Sequence, residues 1–313
     1  MFPQGSCFYV ALLYLYQAQR HREYRQKIIS NYQPLHRDIY SMHPSAFFVP
    51  TFLKAINDNT EESFRNIMSE PSPGVFTFEM FQPQFCKLLL SEVEHFEEWV
   101  NEVRFRIMRP NTMNKYGAVL DDFGLETMLD KLMEGFVRPI SKVFFPEVGG
   151  STLDSHHGFV VEYGKDRDVD LGFHVDDSEV TLNVCLGKQF SGGELFFRGT
   201  RCDKHVNTGT HSEEIFDYSH APGRALLHRG RHRHGARATT SGHRINLLLW
   251  CRRSCLEGKE NQQPDLIQYQ YVLGLFFDKL GLVETPKLLL GETKNCFLLC
   301  SNAQRGYVKN LLK

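Results

Sequence analysis

No stretch of the 313-residue chain offers the roughly twenty consecutive apolar residues that a membrane span needs. The opening "MFPQGSCFYVALLYLYQAQRHR" has an apolar run of only about ten residues, with neither a basic leader nor a small-residue cleavage site, and reads as a buried helix or strand. Net charge is also missing: 36 Lys and Arg against 37 Asp and Glu leave −1, so no global field favours nucleic acid or a membrane surface. Internal repeats and low-complexity segments are absent. The eight cysteines are scattered without an export signal, which points to reduced thiols and a cytoplasmic or nuclear protein. The pairs "CRRSC" (Cys251, Cys255) and "CFLLC" (Cys296, Cys300) suggest a four-thiolate zinc site. Three large apolar residues in "CFLLC", where a zinc knuckle needs a tight turn, argue against it.

What is present is a chain 42% hydrophobic, long enough for one large domain or two ordinary ones. Residues 11–30 read as a polar helix and "NYQPLHRDIYSMHPS" as a loop. "SEPSPGVF" is a Pro/Ser/Gly break, so residues 1–75 are expected to be a mostly helical N-terminal extension. In "QPQFCKLLLSEVEHFEEWVNEV", Phe85, Leu88, Leu89, Val93, Phe96 and Val100 recur at helical spacing. With a second helix, "LETMLDKLMEGFVRPISKVFF", this makes residues 76–150 a helical support. From Ser151 the texture changes. "HGFVVEYG", "LGFHVDD", "EVTLNVCLG", "GGELFFRG", "GRALLH" and "RINLLLW" are short, rich in β-branched and aromatic residues, and separated by turn formers. Six such strands with no helix between them predict an α+β protein whose residues 151–253 form an antiparallel jelly-roll or cupin-like barrel. Residues 254–313 form a C-terminal tail of no assigned role.

Within that core, His174 and Asp176 stand two apart at a strand edge, so both side chains project to one face. They supply two thirds of a 2-His-1-carboxylate set, which holds Fe(II) with three positions open. Spacing alone is weak, because His36-Arg37-Asp38 repeats it in a polar loop. A second histidine and an anion anchor are needed, and "HRGRHRHGARATTSGHR" (228–244) offers both. His234 follows His174 by sixty residues, and Arg244 stands ten residues further on. Arg244, Asn246, Leu248 and Trp250 share a strand face. An arginine facing into a barrel must pair with something, and a bidentate carboxylate is its natural partner.

His174-x-Asp176, His234 and Arg244 in this order resemble the 2-oxoglutarate- and Fe(II)-dependent dioxygenases of the prolyl/lysyl hydroxylase branch. "RPNTMNKYG", "LDSH", "TLNVCLGK" and "LHRG…HGAR" are similar to the 2-oxoglutarate and iron-dependent oxygenase domain-containing protein 2 family. The resemblance covers about residues 76 to 253. It implies a double-stranded β-helix, with His174, Asp176 and His234 as iron ligands and Arg244 on the distal carboxylate of 2-oxoglutarate. Tyr163 would hydrogen-bond the co-substrate. Cys185 stands where some prolyl hydroxylases have a second co-substrate tyrosine. It further implies oxidative decarboxylation of 2-oxoglutarate to succinate and CO₂, O₂ as the other substrate, hydroxylation of a protein side chain or small molecule, and L-ascorbate as an accessory reductant.

Other readings stay open at this level. His174 and Asp176 could be a structural hydrogen-bonded pair, and His232 or His228 could stand in for His234. His228 is otherwise expected to line the barrel or support a ligand, and Asn246 and Cys185 to line the pocket or to support its residues from behind. Arg244 could form a core salt bridge and Tyr163 could be an ordinary barrel aromatic. Gly192 and Gly193 are read as turn formers. Arg229, Arg231, Arg233 and Arg237 are read as solvated at the barrel mouth, or as recruiting an acidic substrate. Trp250 stands six residues past the anchor, where nucleobase-demethylating relatives carry another arginine, which disfavours nucleic acid. Two rival functions remain: a non-redox cupin-like metal enzyme, and a catalytically silent barrel that only binds.

Overall fold

The computed structural model describes residues 4–201 and 208–253. Cys202, Cys255, Cys296 and Cys300, and with them the zinc reading and the C-terminal tail from 254, lie outside the described residues, as do the side chains of the apolar N-terminal run through residue 15. Seven α-helices are described: α1 (Gln4–Asn31), α2 (Pro44–Phe47), α3 (Pro50–Asp58), α4 (Glu61–Ile67), α5 (Pro83–Glu102), α6 (Glu126–Leu132) and α7 (Arg138–Phe144). Twelve strands accompany them: β1 (Ser69–Ser72), β2 (Val75–Glu79), β3 (Gly117–Val119), β4 (Ser155–Gly164), β5 (Leu171–His174), β6 (Val180–Gly187), β7 (Phe190–Gly192), β8 (Leu195–Thr200), β9 (Ile215–Tyr218), β10 (Arg224–Arg229), β11 (His232–Ala236) and β12 (Thr239–Arg252). Among the described residues, no helix is long and apolar enough to cross a membrane.

From β4 onward the chain crosses between two antiparallel sheets. The large sheet has the order β1-β2-β10-β6-β12-β4-β3, with β7 paired to the start of β12, and the small one the order β5-β11-β8-β9. Strands β4, β6, β10 and β12 of the first alternate along the sequence with β5, β8–β9 and β11 of the second. That winding is the double-stranded β-helix, here an α+β protein with helices packed on one side.

The sequence accounts for the layering. β6 is buried at every position because its inner face meets the small sheet and its outer face meets helices. α5 carries that cover: Pro83 starts it, and Phe85, Leu89, Val93, Phe96 and Val100 are all buried, as the spacing predicts. β8 alternates, with Leu195 and Phe197 inward and Phe196 and Arg198 outward, because the small sheet has solvent on its far side. The second expected helix is present as α6, a π turn over Met133–Val137, and α7, in one continuous path.

The N-terminal segment departs from expectation. Residues 1–75 are mostly helical, but the break "SEPSPGVF" is the β1–β2 hairpin, turning at Gly74 with φ 73°. The boundary expected at 75/76 falls inside β2, whose Val75–Glu79 pair residue for residue with His228–Arg224 of β10. "VFTFE" has the β-branched and aromatic content to extend the large sheet. The described residues form one compact unit, so the N-terminal segment is not set apart from the β core.

Candidate metal centre and anion anchor

β5 ends at His174, and β11 pairs with it so that His234 lies directly opposite. Asp176 follows two residues on, and its amide is held by the carbonyl of Gly230 at 2.8 Å. Ligand atoms of His174, Asp176 and His234 all lie within 4.8 Å of one another, the one such grouping of His, Cys, Asp and Glu among the described residues. His174 Nε2 is 3.4 Å from Asp176 Oδ1, and His234 Nε2 is 3.7 Å from Oδ2. Their other ring nitrogens face carbonyls, His174 Nδ1 at 2.7 Å from Gly172 O and His234 Nδ1 at 2.8 Å from His232 O. A carbonyl only accepts, so in the neutral rings the proton sits on Nδ1 and each Nε2 lone pair faces Asp176. Thr181 Oγ1 donates to Asp176 Oδ2 at 2.7 Å.

Burial alone would raise the Asp176 carboxyl, but His234, His174 and His228 outweigh it and hold the group well below the carboxylate range. Burial lowers His234. It also opposes charging of His174, but the hydrogen bond and charge of Asp176 prevail and raise it. Two imidazole lone pairs and a carboxylate suit a divalent first-row metal.

The two competing histidines lie behind this group. His228 donates from Nδ1 to Arg229 O at 2.7 Å, and its Nε2 stops 3.9 Å from Asp176 Oδ2 without a hydrogen bond. Burial pushes its pKa down to about 3 and that of His232 to about 4. His232 packs edge-on against Phe197 at 5.1 Å. The structure thus groups His234 with His174 and Asp176, and sets His228 and His232 aside as neutral rings.

Arg244 lines the same cleft as His174, Asp176 and His234, and the apolar wall of that cleft includes Val161, Leu171, Leu195 and Leu248. Arg244 pairs with Tyr163 of β4, whose ring lies 4.1 Å from the guanidinium carbon. Arg244 is 1% exposed; Nη1 donates to Asn246 Oδ1 at 3.1 Å, while Nε and Nη2 meet no acceptor. Buried guanidinium donors without partners are expensive, and Arg244 has no carboxylate partner within the described residues, so it makes no core salt bridge and leaves donors that an anion could take. Gly193 makes room beside it. A Cβ there would stand 2.8 Å from Arg244 Nε and 2.9 Å from Thr239 Oγ1, which is also unpartnered. The doubled glycine read as turn geometry therefore also clears space around the anchor.

Tyr163 is more than a barrel aromatic, since its hydroxyl accepts from Asn114 Nδ2 at 2.9 Å while its face meets Arg244. Of the two expected positions Asn246 takes the supporting one, bracing Arg244 and donating to Asn183 Oδ1 at 2.6 Å. Cys185, opposite Asn246 on β6, is buried and is not among the residues lining the cleft. The arginine expectation needs correction at Arg233, while Arg231 and Arg237 are exposed as expected. Arg233 is buried on the outward side of β11, donating to the carbonyls of Arg198 at 2.6 Å and Gly199 at 3.4 Å. Arg229 pairs with Glu147 and Arg237 with Asp217. Sequence reasoning missed Asn114, Thr181, Thr239 and His220. Asn114 lay within "RPNTMNKYG", a stretch that marked the resemblance without showing what it touches.

Comparison with known proteins agrees in kind. Residues 28–150 match the OGFOD2-like domain. The chain is 74% identical over 249 residues to the Arabidopsis thaliana 2-oxoglutarate and iron-dependent oxygenase domain-containing protein CP2, covering 80% of this chain and 63% of that protein. It is 34% identical over 252 residues to the Homo sapiens 2-oxoglutarate and iron-dependent oxygenase domain-containing protein 2, covering 77% of this chain and 69% of that one. It therefore spans less than two thirds of the Arabidopsis relative's length. Among solved structures, a Pseudomonas putida prolyl-4-hydroxylase is 13% identical with TM-score 0.42, covering 64% of this chain and 98% of that one. A Phytophthora capsici prolyl 4-hydroxylase is 16% identical with TM-score 0.43, covering 86% and 93%.

Proposed function

The chain belongs to the 2-oxoglutarate and iron-dependent oxygenase domain-containing protein 2 family, and on that footing we propose that it is a 2-oxoglutarate-dependent dioxygenase hydroxylating a protein side chain or small molecule. The supporting observation is one cleft lined both by a 2-His-1-carboxylate group and by a guanidinium with unspent donors. When bound, iron(II) and 2-oxoglutarate supply O₂ activation, with succinate and CO₂ as products and one oxygen delivered to the substrate as hydroxyl.

The chain's own groups hold that chemistry in place. His174 and His234 present Nε2 lone pairs, and Asp176 supplies the negative charge that a divalent ion requires. Thr181 holds one carboxylate oxygen of Asp176, fixing which oxygen is offered. Arg244 takes the distal carboxylate through Nε and Nη2, flat against Tyr163. Val161, Leu171, Leu195 and Leu248 make part of the cleft wall apolar, which lowers the local dielectric and strengthens both sets of contacts. L-ascorbate enters on family grounds alone.

An anaerobic titration of the protein with Fe(II) and 2-oxoglutarate, following the visible charge-transfer band of the chelate, tests this reading. We expect a band in the parent, no band in His174→Ala, and a band that needs far more 2-oxoglutarate in Arg244→Ala. No band in a folded, iron-loaded parent would move the cupin-like or silent-barrel readings ahead. A band without 2-oxoglutarate turnover in the presence of O₂ would favour the silent barrel.

A further inference from the structure

The anion anchor has a neighbour that no motif marks. His220 lies in the short connection between β9 and β10, where Gly223 N donates to Cys185 O at 2.8 Å and Arg224 N to Ala221 O at 3.1 Å. The first bond ties the connection to β6 of the large sheet, and the second closes its turn. Its imidazole meets Tyr218 edge-on at 5.1 Å, and Nε2 stands 3.3 Å from Arg244 Nη1. Nδ1 lies 3.1 Å from the side-chain amide of Asn246.

A guanidinium only donates, so His220 Nε2 must be the acceptor in this contact. The neutral ring's proton then sits on Nδ1, and its approach to Asn246 Nδ2, also a donor, is a contact and not a hydrogen bond. Nη1 carries two hydrogens. One goes to Asn246 Oδ1 and the other to His220 Nε2, which leaves Nε and Nη2 free. A guanidinium held at one nitrogen by two acceptors, with an aromatic ring against its face, cannot rotate to spend its remaining donors on the protein. Burial, reinforced by the charge of Arg244, keeps the His220 pKa well below its ordinary value, so the ring stays a neutral acceptor.

Resting on the dioxygenase reading, we infer that His220 is a positioning residue that aims Arg244 at the distal carboxylate of the co-substrate. It acts through Arg244 and touches neither metal nor co-substrate. Its influence should therefore extend only to ligands that carry a distal carboxylate.

Two keto acids separate this role from a merely structural one. 2-Oxoglutarate has the distal carboxylate; 2-oxobutyrate chelates iron through the same keto acid group but lacks it. Dissociation constants for both are measured anaerobically from the charge-transfer band in the iron-loaded parent, His220→Leu and His220→Gln. Iron affinity is measured alongside. In His220→Leu we expect the 2-oxoglutarate constant to rise about tenfold or more, the loss of one charge-assisted hydrogen bond's worth of alignment. The 2-oxobutyrate and iron constants should stay put. His220→Gln, which keeps an acceptor near Nη1, should recover most of the loss. Unchanged 2-oxoglutarate binding in His220→Leu, or equal weakening for both keto acids, overturns the inference. If the leucine variant does not fold, His220→Asn, too short to reach Nη1, runs the same comparison. A parent that binds neither keto acid refutes the dioxygenase reading itself and is told apart from these outcomes.

Discussion

Replacing Gly193 with alanine isolates what the glycine does for the anchor, because Gly74 serves as a matched control. Gly193 has φ 75° and Gly74 φ 73°, so alanine is equally misplaced at both. Each substitution should cost about 1–2 kcal/mol of stability for the left-handed backbone. What differs is the space. A Cβ at Gly74 meets nothing within 4 Å, whereas at Gly193 it would stand 2.8 Å from Arg244 Nε, 2.9 Å from Thr239 Oγ1 and 3.2 Å from Arg244 Cδ. Separations under 3 Å force the arginine side chain to move. A charge-assisted hydrogen bond is worth about 1.5–3 kcal/mol, and each 1.4 kcal/mol is tenfold in affinity. Gly193→Ala should therefore raise the 2-oxoglutarate dissociation constant about 10- to 100-fold, while Gly74→Ala leaves it alone. Iron affinity should not change in either. The assay is the anaerobic charge-transfer titration, with thermal unfolding to confirm that both variants lose similar stability. Parental 2-oxoglutarate affinity in Gly193→Ala, or an equal loss in Gly74→Ala, would refute the assignment of this space to the anchor.

Thr181→Val removes the hydroxyl that holds Asp176 Oδ2 and should weaken iron binding about 10- to 100-fold by equilibrium metal titration, with little effect on folding. Glu92, fully buried on α5, accepts from Tyr32 and Tyr40 hydroxyls at 2.6 and 2.8 Å and from the amides of Leu35 and His36 at 3.2 and 2.6 Å. Glu92→Gln sets an NH₂ against donors, so denaturant unfolding should show a loss of about 2–4 kcal/mol. Glu97 is raised to about 7, first by burial and then by Glu162. The folded form holds its proton above the unfolded carboxylate range, so stability should fall as pH rises from about 4.5 to 7 and then level off. In this half-buried position the effect should be about 1–2 kcal/mol. Glu97→Gln should flatten that slope in unfolding curves taken between pH 4.5 and 8.

The barrel strands were readable because alternation and β-branched content are local signals, and α5 because its apolar residues recur at helical spacing. His174, Asp176, His234 and Arg244 were readable as a set because their order survives in sequence, although only the β5–β11 register places His234, and not His232 or His228, opposite His174. Other features depend on three-dimensional neighbours. "SEPS" is too polar and short to announce β1, and β2 is a strand because β10 is there to pair with it. Arg233 looks solvated in a basic run, yet strand alternation turns it onto backbone carbonyls of the next strand. His220 sits in an unpatterned connection. The role of Gly193 shows only in the atoms an absent Cβ would meet.

The pairing of β5 with β11 has a mechanical consequence. β5 has four residues and one neighbour, and it carries one histidine and leads into the carboxylate, while the other histidine sits on that neighbour. A divalent ion there would act as a cross-link across a sixty-residue loop between His174 and His234. Treated like a disulfide of that loop length, the clasp would withhold about 4 kcal/mol of chain entropy from the unfolded state. Iron would then fasten a frayable sheet margin as well as serve the cleft, so that scarcity of metal would loosen the margin of the small sheet before the helices behind the large one.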